Sequence, residues 1–446
     1  MPFSLGTTLR ALGLLLAFLI ATDNNSSAQS DLEKAAKALQ IFSDTLKQIQ
    51  NPSQQPQQTP FNNQGQQSQQ NQKQGGRPEG STPELDWGTK VLPDNTVFPS
   101  IIFSLPSVSP GTPFFEFLNG KISQNIIGDP ASCIAVLTVP KQNLDRVTVR
   151  LTAEPFLRQS SLTVNQLRAG SPKIIKPTLN WDFQALRKNP QSCPATLTTE
   201  FIGADGGIIG QTQKRVMVRS VNECPILPSP RPTPIDDFLI GFVNENSPLV
   251  DIVLQYGQDS NLSRSFSGIQ DPGTFWNQLF SVWYSLQKRG IRYSNIATVA
   301  PPAFGVMPSQ HIRFMDESIL RSQANCIDGT VLLASVYTRL GFKAGVVLLK
   351  IGDHPQMLPD HAILAVKSPQ GDAGHALIDS TVMGNAQFAG KSFQSASWEN
   401  FNNALYTASQ GMEKSRRAGY IPKIVYVDEA RSNGIRPIPI LSSYGQ

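Results

Sequence analysis

The sequence predicts a multidomain chain in which an N-terminal antiparallel β-sandwich precedes a C-terminal α+β domain. Three observations predict it. Short β-rich apolar runs separated by turn residues fill the stretch from about 86 to 226. A proline-rich segment, Pro225 to Pro234, then interrupts the pattern. Beyond it, helical periodicity and strand-like runs alternate to the end. A chain of 446 residues has room for two or three domains, each with its own core.

The order of segments follows from composition. Arg10 precedes the apolar stretch Ala11 to Ala21, and Ser26-Ser27-Ala28 supplies small residues for a cut near Gln29, so 1–28 reads as a secretory signal. The apolar run is shorter than the roughly 20 residues a spanning helix needs. Its alternative is an uncleaved interfacial anchor, and no later segment is apolar enough to span. Over 29–85 two patterns follow. Leu32, Ala35, Ala36, Leu39, Phe42, Leu46 and Ile49 recur at helical spacing within Asp31 to Gln50. From Asn51 to about Pro83, Gln, Asn, Pro, Gly and Ser dominate, the composition of a disordered tether. The net charge of +5 is small and scattered, which gives nucleic-acid binding no support.

Within 86–226, the runs Cys133 to Val139, Val147 to Thr152 and Val216 to Arg219 predict strands. Ala204-Asp205-Gly206-Gly207 predicts a hairpin turn. Three of the four cysteines fall here, and Cys326 stands alone in the second half. Cys193 and Cys224 flank one hairpin in a chain expected to be exported, which predicts a disulfide between them; Cys133 is the alternative partner.

The domain at 236–446 opens with a helix carrying Phe275, Leu279, Val282, Trp283 and Leu286 on one stripe and ending at Gly290. A second helix is predicted from Cys326 to Gly341, with Asn325 as its cap and Asp328 in its first turn. Strands are predicted at 344–351, 361–367 and 375–381. A final amphipathic helix at about 398–416 and a short strand at 423–428 complete the domain.

The candidate site residues are Cys326, His361 and Asp379. A thiol in the first turn of a helix faces unpaired N–H groups and the positive end of the dipole, which favour a thiolate. Asp328 works against that charge, so a base is still needed. There are four histidines, His311, His354, His361 and His375. His361 opens one predicted strand and Asp379 closes the next. If these pair about the Gly- and Pro-rich turn after Lys367, the two fall opposite one another. Nucleophile, base and orienting carboxylate make a workable acyl-transfer site. His375 lies four residues before Asp379 on one strand, about 13 Å away, too far to pair with it. His354 reads as a loop residue and His311 as a surface residue. The backbone N–H of Cys326, with Gln310 or Gln323, is the candidate oxyanion donor set. No compact ligand spacing supports zinc, and no cofactor is expected.

These residues carry a resemblance. A helix starting at Cys326, then a strand, a His-led strand and an Asp-Ser strand resemble the transglutaminase-like superfamily of papain-like thiol enzymes. Gly290-Ile291-Arg292-Tyr293-Ser294-Asn295-Ile296, Gln323 to Gly329 and the tail Asp428 to Ile438 are similar to a group of exported bacterial proteins carrying that domain. The resemblance spans roughly 236 to 440 and implies a triad of Cys326, His361 and Asp379. It departs in two places. Ala362-Ile363-Leu364 follows the histidine where a large aromatic is common, and Asp379-Ser380-Thr381 stands where the narrower group often has Glu-Thr-Thr.

The expectation is thus an exported, periplasmic or extracellular thiol enzyme acting on a protein or peptide substrate of the cell envelope. Hydrolysis is the first reading and crosslinking to an amine the second. An inactive domain binding peptide or cell-wall fragments, and a structural surface protein, are the readings from other classes.

Overall fold

Period-two burial builds the first half: Ile134–Pro140 and Cys193–Ile202 bury every second side chain, as strands with one face on a core must. A computed structural model describes residues 79–439, apart from 109–111, 120–125, 228, 230–232, 260–261, 263–265, 267–271, 295–298, 301–306, 353–357, 369–374 and 386–388. The expected signal and amphipathic helix, the tether up to Pro78 and His354 lie outside the described residues; the tether's expected end instead holds a strand, Gly80–Ser81, paired with Trp87 and Asp86. The chain is mixed α and β with several sheets.

Two five-stranded sheets occupy the first half. In spatial order one runs Gly80–Ser81, Leu85–Val91, Ile134–Pro140, Lys173–Lys176, Ile126–Gly128. The other runs Thr96–Val97, Ile208–Val218, Cys193–Ile202, Leu144–Ala153, Leu157–Leu167. Pairing is antiparallel except at one edge of each, where Ile126–Gly128 and Thr96–Val97 join in parallel. The hairpin expected at Ala204–Gly207 joins two long strands, with Gly206 at φ 85°, a conformation a side chain would resist. Both sheets contribute to one core. Trp87 and Phe201 meet across it with ring centroids 4.9 Å apart, and the hydroxyls of Thr89 and Thr199 lie 2.9 Å apart.

The first half also holds helices that the strand pattern did not predict. Ile101, Leu105, Phe114 and Leu118, from Pro99–Ser104, its C-cap and Pro113–Asn119, pack into the second core, among Phe238, Phe242 and Ile435. Pro225, expected to open a stiff linker, instead lies in a strand, Glu223–Pro225, that pairs with Ser309–His311. These crossings join the two cores, and the chain from Glu79 onward is one compact unit.

They also explain a correction. Cys193 and Cys224 do not form the expected bridge; all four cysteines are free thiols. Cys193 packs against the core of the two sheets, whereas Cys224 is buried in the other core. Turning the chain at Ser220–Asn222 moves Cys224 out of the hairpin and opposite Gln310.

The second half is built on a four-stranded antiparallel sheet in the order His375–Ile378, His361–Lys367, Ala344–Leu349, Ile424–Tyr426. Its central strands are apolar throughout because both faces are covered. Val346, Leu348, Leu364 and Val366 face the larger core, while Val347, Leu349, Ile363 and Ala365 pack with Ala408 of the helix Phe393–Arg417. Each such side chain contributes about 1.5–3 kcal/mol by leaving water. The helix Cys326–Arg339 lies against the larger core, and Thr330 in its first turns reaches the carbonyl of Ala362.

Candidate active site

Cys326 occupies the first position of its helix because Asn325 caps it. The Asn325 side-chain oxygen accepts from the Asp328 N–H at 2.8 Å, and Asp328 Oδ2 accepts from the Asn325 N–H at 3.0 Å. This reciprocal cap satisfies two of the helix's orphan donors. Asp328, expected to oppose a thiolate, is instead fully buried and tied down. It accepts from the Arg313 backbone at 2.8 Å and pairs with the Arg313 guanidinium at 3.3 Å. Burial raises its pKa, against the bonds from Asn325 and Arg313. Its charge is therefore spent on Arg313 and backbone N–H groups rather than on the thiol.

His361 is the first residue of its strand, opposite Leu349. Its Nε2 lies 3.0 Å from Asp379 Oδ2. Asp379 does not sit opposite His361 in the sheet, as expected. The register pairs Leu364 with Ile378, two residues offset from that alignment, and the strand stops at Ile378. An offset of two preserves the face on which a side chain points, where an offset of one would invert it. Asp379 then caps the short 3-10 turn Ser380–Val382, its Oδ1 accepting from Thr381 N at 2.9 Å and Thr381 Oγ1 at 2.7 Å. This leaves Oδ2 for the imidazole.

The imidazole and the thiol of Cys326 line one cavity, and their interaction helps to raise the pKa of the histidine. With Nε2 on the carboxylate, Nδ1 is the nitrogen left for sulfur. The electrostatics are those of a coupled pair. Burial alone would lower the His361 pKa, but the bond to Asp379, the interaction with Cys326 and the charges of both push it up to about 10. Burial would raise that of Asp379, but the bond and charge of His361 and the two bonds from Thr381 hold it below the ordinary carboxylate value. The side chains are 9% and 4% exposed, so solvent screens the pair weakly.

Several contacts that the sequence did not reveal hold this geometry. Ser380 Oγ donates to the Cys326 carbonyl at 3.2 Å, and Thr330 Oγ1 donates to the same oxygen at 2.7 Å. The first contact depends on Gly329, since a Cβ there would come within 2.4 Å of Ser380 Oγ. Tyr293 pairs with Ala324 just before the helix. Burial, then the charges of Cys326 and Asp379, raise the pKa of its phenol, which places it beside the site.

A cavity of about 40 Å³ opens beside Cys326 and His361. Ile226, Leu239, Ile327 and Leu348 form apolar walls, and Asp236, Gln310 and Asp360 are its other polar side chains. Of the two expected oxyanion side chains, Gln310 therefore reaches the site; its amide now donates to His311 O at 3.0 Å. Gln323 is exposed, paired with Arg292, and does not line the cavity. His375 stands at the far end of its strand beside Lys367 and bonds the Tyr426 hydroxyl. His311 is half-buried opposite Glu223. A larger cavity of about 490 Å³ lies near Phe103, Cys133 and Trp181, but burial pushes the Cys133 thiol up to about 12, which removes its nucleophilicity. Among the described residues no cluster of His, Cys, Asp and Glu is arranged to hold a metal ion, and no helix is long and apolar enough to cross a membrane.

No protein-family model and no curated protein matches the chain.

Proposed function

We propose that the chain is an exported thiol enzyme whose second half has the transglutaminase-like, papain-like architecture and whose two earlier sheets form a sandwich domain. It transfers acyl groups from peptide or carboxamide bonds of a protein or peptide substrate. One observation carries this reading: a single imidazole, that of His361, is hydrogen-bonded to a carboxylate and shares a small cavity with a thiol at a capped helix N-terminus.

The mechanism follows from that arrangement. The Cys326 sulfur, its proton held by His361, attacks the carbonyl carbon. Negative charge develops on the carbonyl oxygen; the first N–H groups of a helix have no intrahelical acceptor, so that of Cys326 is the first donor and Gln310 the second. The C–N bond breaks as His361 delivers its proton to the leaving nitrogen, which departs as amine or ammonia. Water then adds to the thioester, giving its proton to His361, and the C–S bond breaks to release the acid. Throughout, Asp379 keeps the ring oriented and stabilises its cationic form. Hydrolysis is the favoured outcome because the cavity beside the sulfur has water-scale dimensions: a buried water needs roughly 10–15 Å³ of such space.

Alkylation of folded protein with iodoacetamide, followed against pH, tests the reading. Cys326 should react faster than an ordinary exposed thiol, whose pKa is about 8.5. His361→Ala should slow it markedly and Asp379→Asn less so, whereas His354→Ala and His375→Ala should leave it unchanged. Equal rates in all five forms would reduce Cys326 to a packing residue.

A further inference from the structure

Asp236 is separated from Cys326 by a long stretch of sequence, and the proposed chemistry gives it no part. It sits in the first turn of the 3-10 helix Pro234–Phe242, is only 4% exposed, and lines the same small cavity as the thiol and the imidazole. One of its oxygens, Oδ2, accepts from the Thr233 backbone N–H. The other carboxylate of the cavity, Asp360, is fully committed: Lys350 Nζ lies 3.0 Å from it, and the N–H groups of Ile351 and Gly352 donate at 2.7 and 2.8 Å. Among the described residues Asp236 has no such ion pair; Lys423 influences it only through space.

We propose that Asp236 determines specificity by binding a primary ammonium group of the substrate, held in the cavity beside the carbonyl that Cys326 attacks. The inference rests on the thiol-enzyme reading and deepens it: the substrate class becomes peptides with a free amino group next to the reacting carbonyl. Three features support it. The cavity, of about 40 Å³, has room for a small hydrogen-bonding head group and not for a bulky one. Ile226, Leu239, Ile327 and Leu348 shield part of it from water, so a charge inside is less screened than at the surface and a carboxylate there gains by pairing. Burial raises the Asp236 carboxyl to about 6, still below neutral pH, so it is anionic when the enzyme would work. An amine held by that carboxylate keeps its proton and its lone pair is occupied. It is therefore a recognition group and not a rival to water at the thioester.

Methanethiosulfonates of different charge test this without a known substrate. The Cys326 thiolate attacks the sulfenyl sulfur, a disulfide forms, and methanesulfinate leaves. The 2-aminoethyl (cationic), methyl (neutral) and 2-sulfonatoethyl (anionic) reagents would be compared at low salt, with the modified cysteine identified by peptide mass spectrometry. In the native protein the cationic reagent should outpace the neutral one by about tenfold beyond the ratio seen with a free thiol, and the anionic one should lag. Asp236→Asn should abolish the preference, and Asp236→Glu should retain it. Equal normalised rates for the three reagents in the native protein would overturn the proposal, as would a preference that survives in a folded Asp236→Asn protein. The neutral reagent reports separately on the thiol. Slow neutral labelling that is indifferent to His361→Ala would sink the enzyme reading itself, whereas fast, His361-dependent labelling without charge preference would sink only the ammonium site.

Discussion

Cys133 and Cys326 each lie near a basic side chain, Lys176 and His361, yet those two bases are held in different ways. Cys133 is buried in the core of the two large sheets, and burial pushes its pKa up to about 12. Lys176 is fully buried too, and burial lowers its amine to about 8. All three acceptors of its Nζ belong to other groups: Leu118 O at 3.1 Å, Asn119 Oδ1 at 2.7 Å and Pro130 O at 3.1 Å. No bond from the base reaches the sulfur. Around Cys326 a carboxylate holds the base, base and thiol line one cavity, and the thiol stands at a capped helix start. Proximity of a base is therefore insufficient. What separates the two sites is the partner of each base: neutral oxygens hold Lys176, whereas a carboxylate behind His361 favours its charged form.

The widest gap this comparison predicts is in reactivity. At pH 7 a thiol of pKa about 12 is ionised to roughly one part in 100,000. Cys326 should therefore be alkylated at least about a thousandfold faster than Cys133 in the same folded molecule, measured peptide by peptide. Comparable rates would erase the distinction.

Next in size is the support beneath Cys326. Asp328→Ala leaves Arg313 without its partner and removes half of the reciprocal cap. It should lower unfolding stability by about 3–5 kcal/mol in urea titration. A loss below about 1 kcal/mol would mean that the Arg313–Asp328 pair behaves as a solvated one.

The His361–Asp379 pair should give stability a defined pH window. His361 has a raised pKa, so its contribution is complete below the unfolded value of about 6.5 and is lost as pH rises towards about 10. Asp379 has a depressed pKa, so its contribution is complete above about 3.8 and is lost as pH falls through the lower folded value. The stability gap between the native protein and His361→Gln should thus be greatest near pH 4–6.5, on the order of 2 kcal/mol, and close on either side. A gap independent of pH would show that the two side chains are not coupled.

Smallest is a steric effect. Gly329→Ala puts a methyl against Ser380 and should displace the turn that carries Asp379. The expected stability cost is about 1–3 kcal/mol, with alkylation of Cys326 slowed about tenfold. Unchanged alkylation in a folded variant would show that Asp379 tolerates the shift.

Much of the second half was legible in sequence because its signals are local. The strand His361–Lys367 has the bounds expected for it, one polar residue beyond each end of the apolar run Ala362 to Val366, and the helix Cys326–Arg339 starts at the residue that Asn325 caps. The Asn325–Asp328 spacing is itself the capping signal. The strand at 375 was expected to run to Thr381, but Asp379 bonds its own Thr381 and turns the chain into a 3-10 helix. That local competition between side chain and ladder is common for Asp, and it shifted the register by two. The Cys193–Cys224 bridge failed for a different reason. Counting thiols along a hairpin carries no information about which core each one enters.

What the sequence determined by itself is therefore the periodic and the contiguous: the alternating strands, the capped helix bearing Cys326, and the order of thiol, imidazole and carboxylate along the chain. Only the tertiary structure decided which distant groups meet them. Asp236 enters the cavity of Cys326 because strand Glu223–Pro225 pairs with Ser309–His311, and Arg313 neutralises Asp328 from outside its helix. Both contacts join residues whose separation along the chain obeys no helical or strand period. Packing free energy, summed over two whole cores, selects them, and no local propensity encodes that sum.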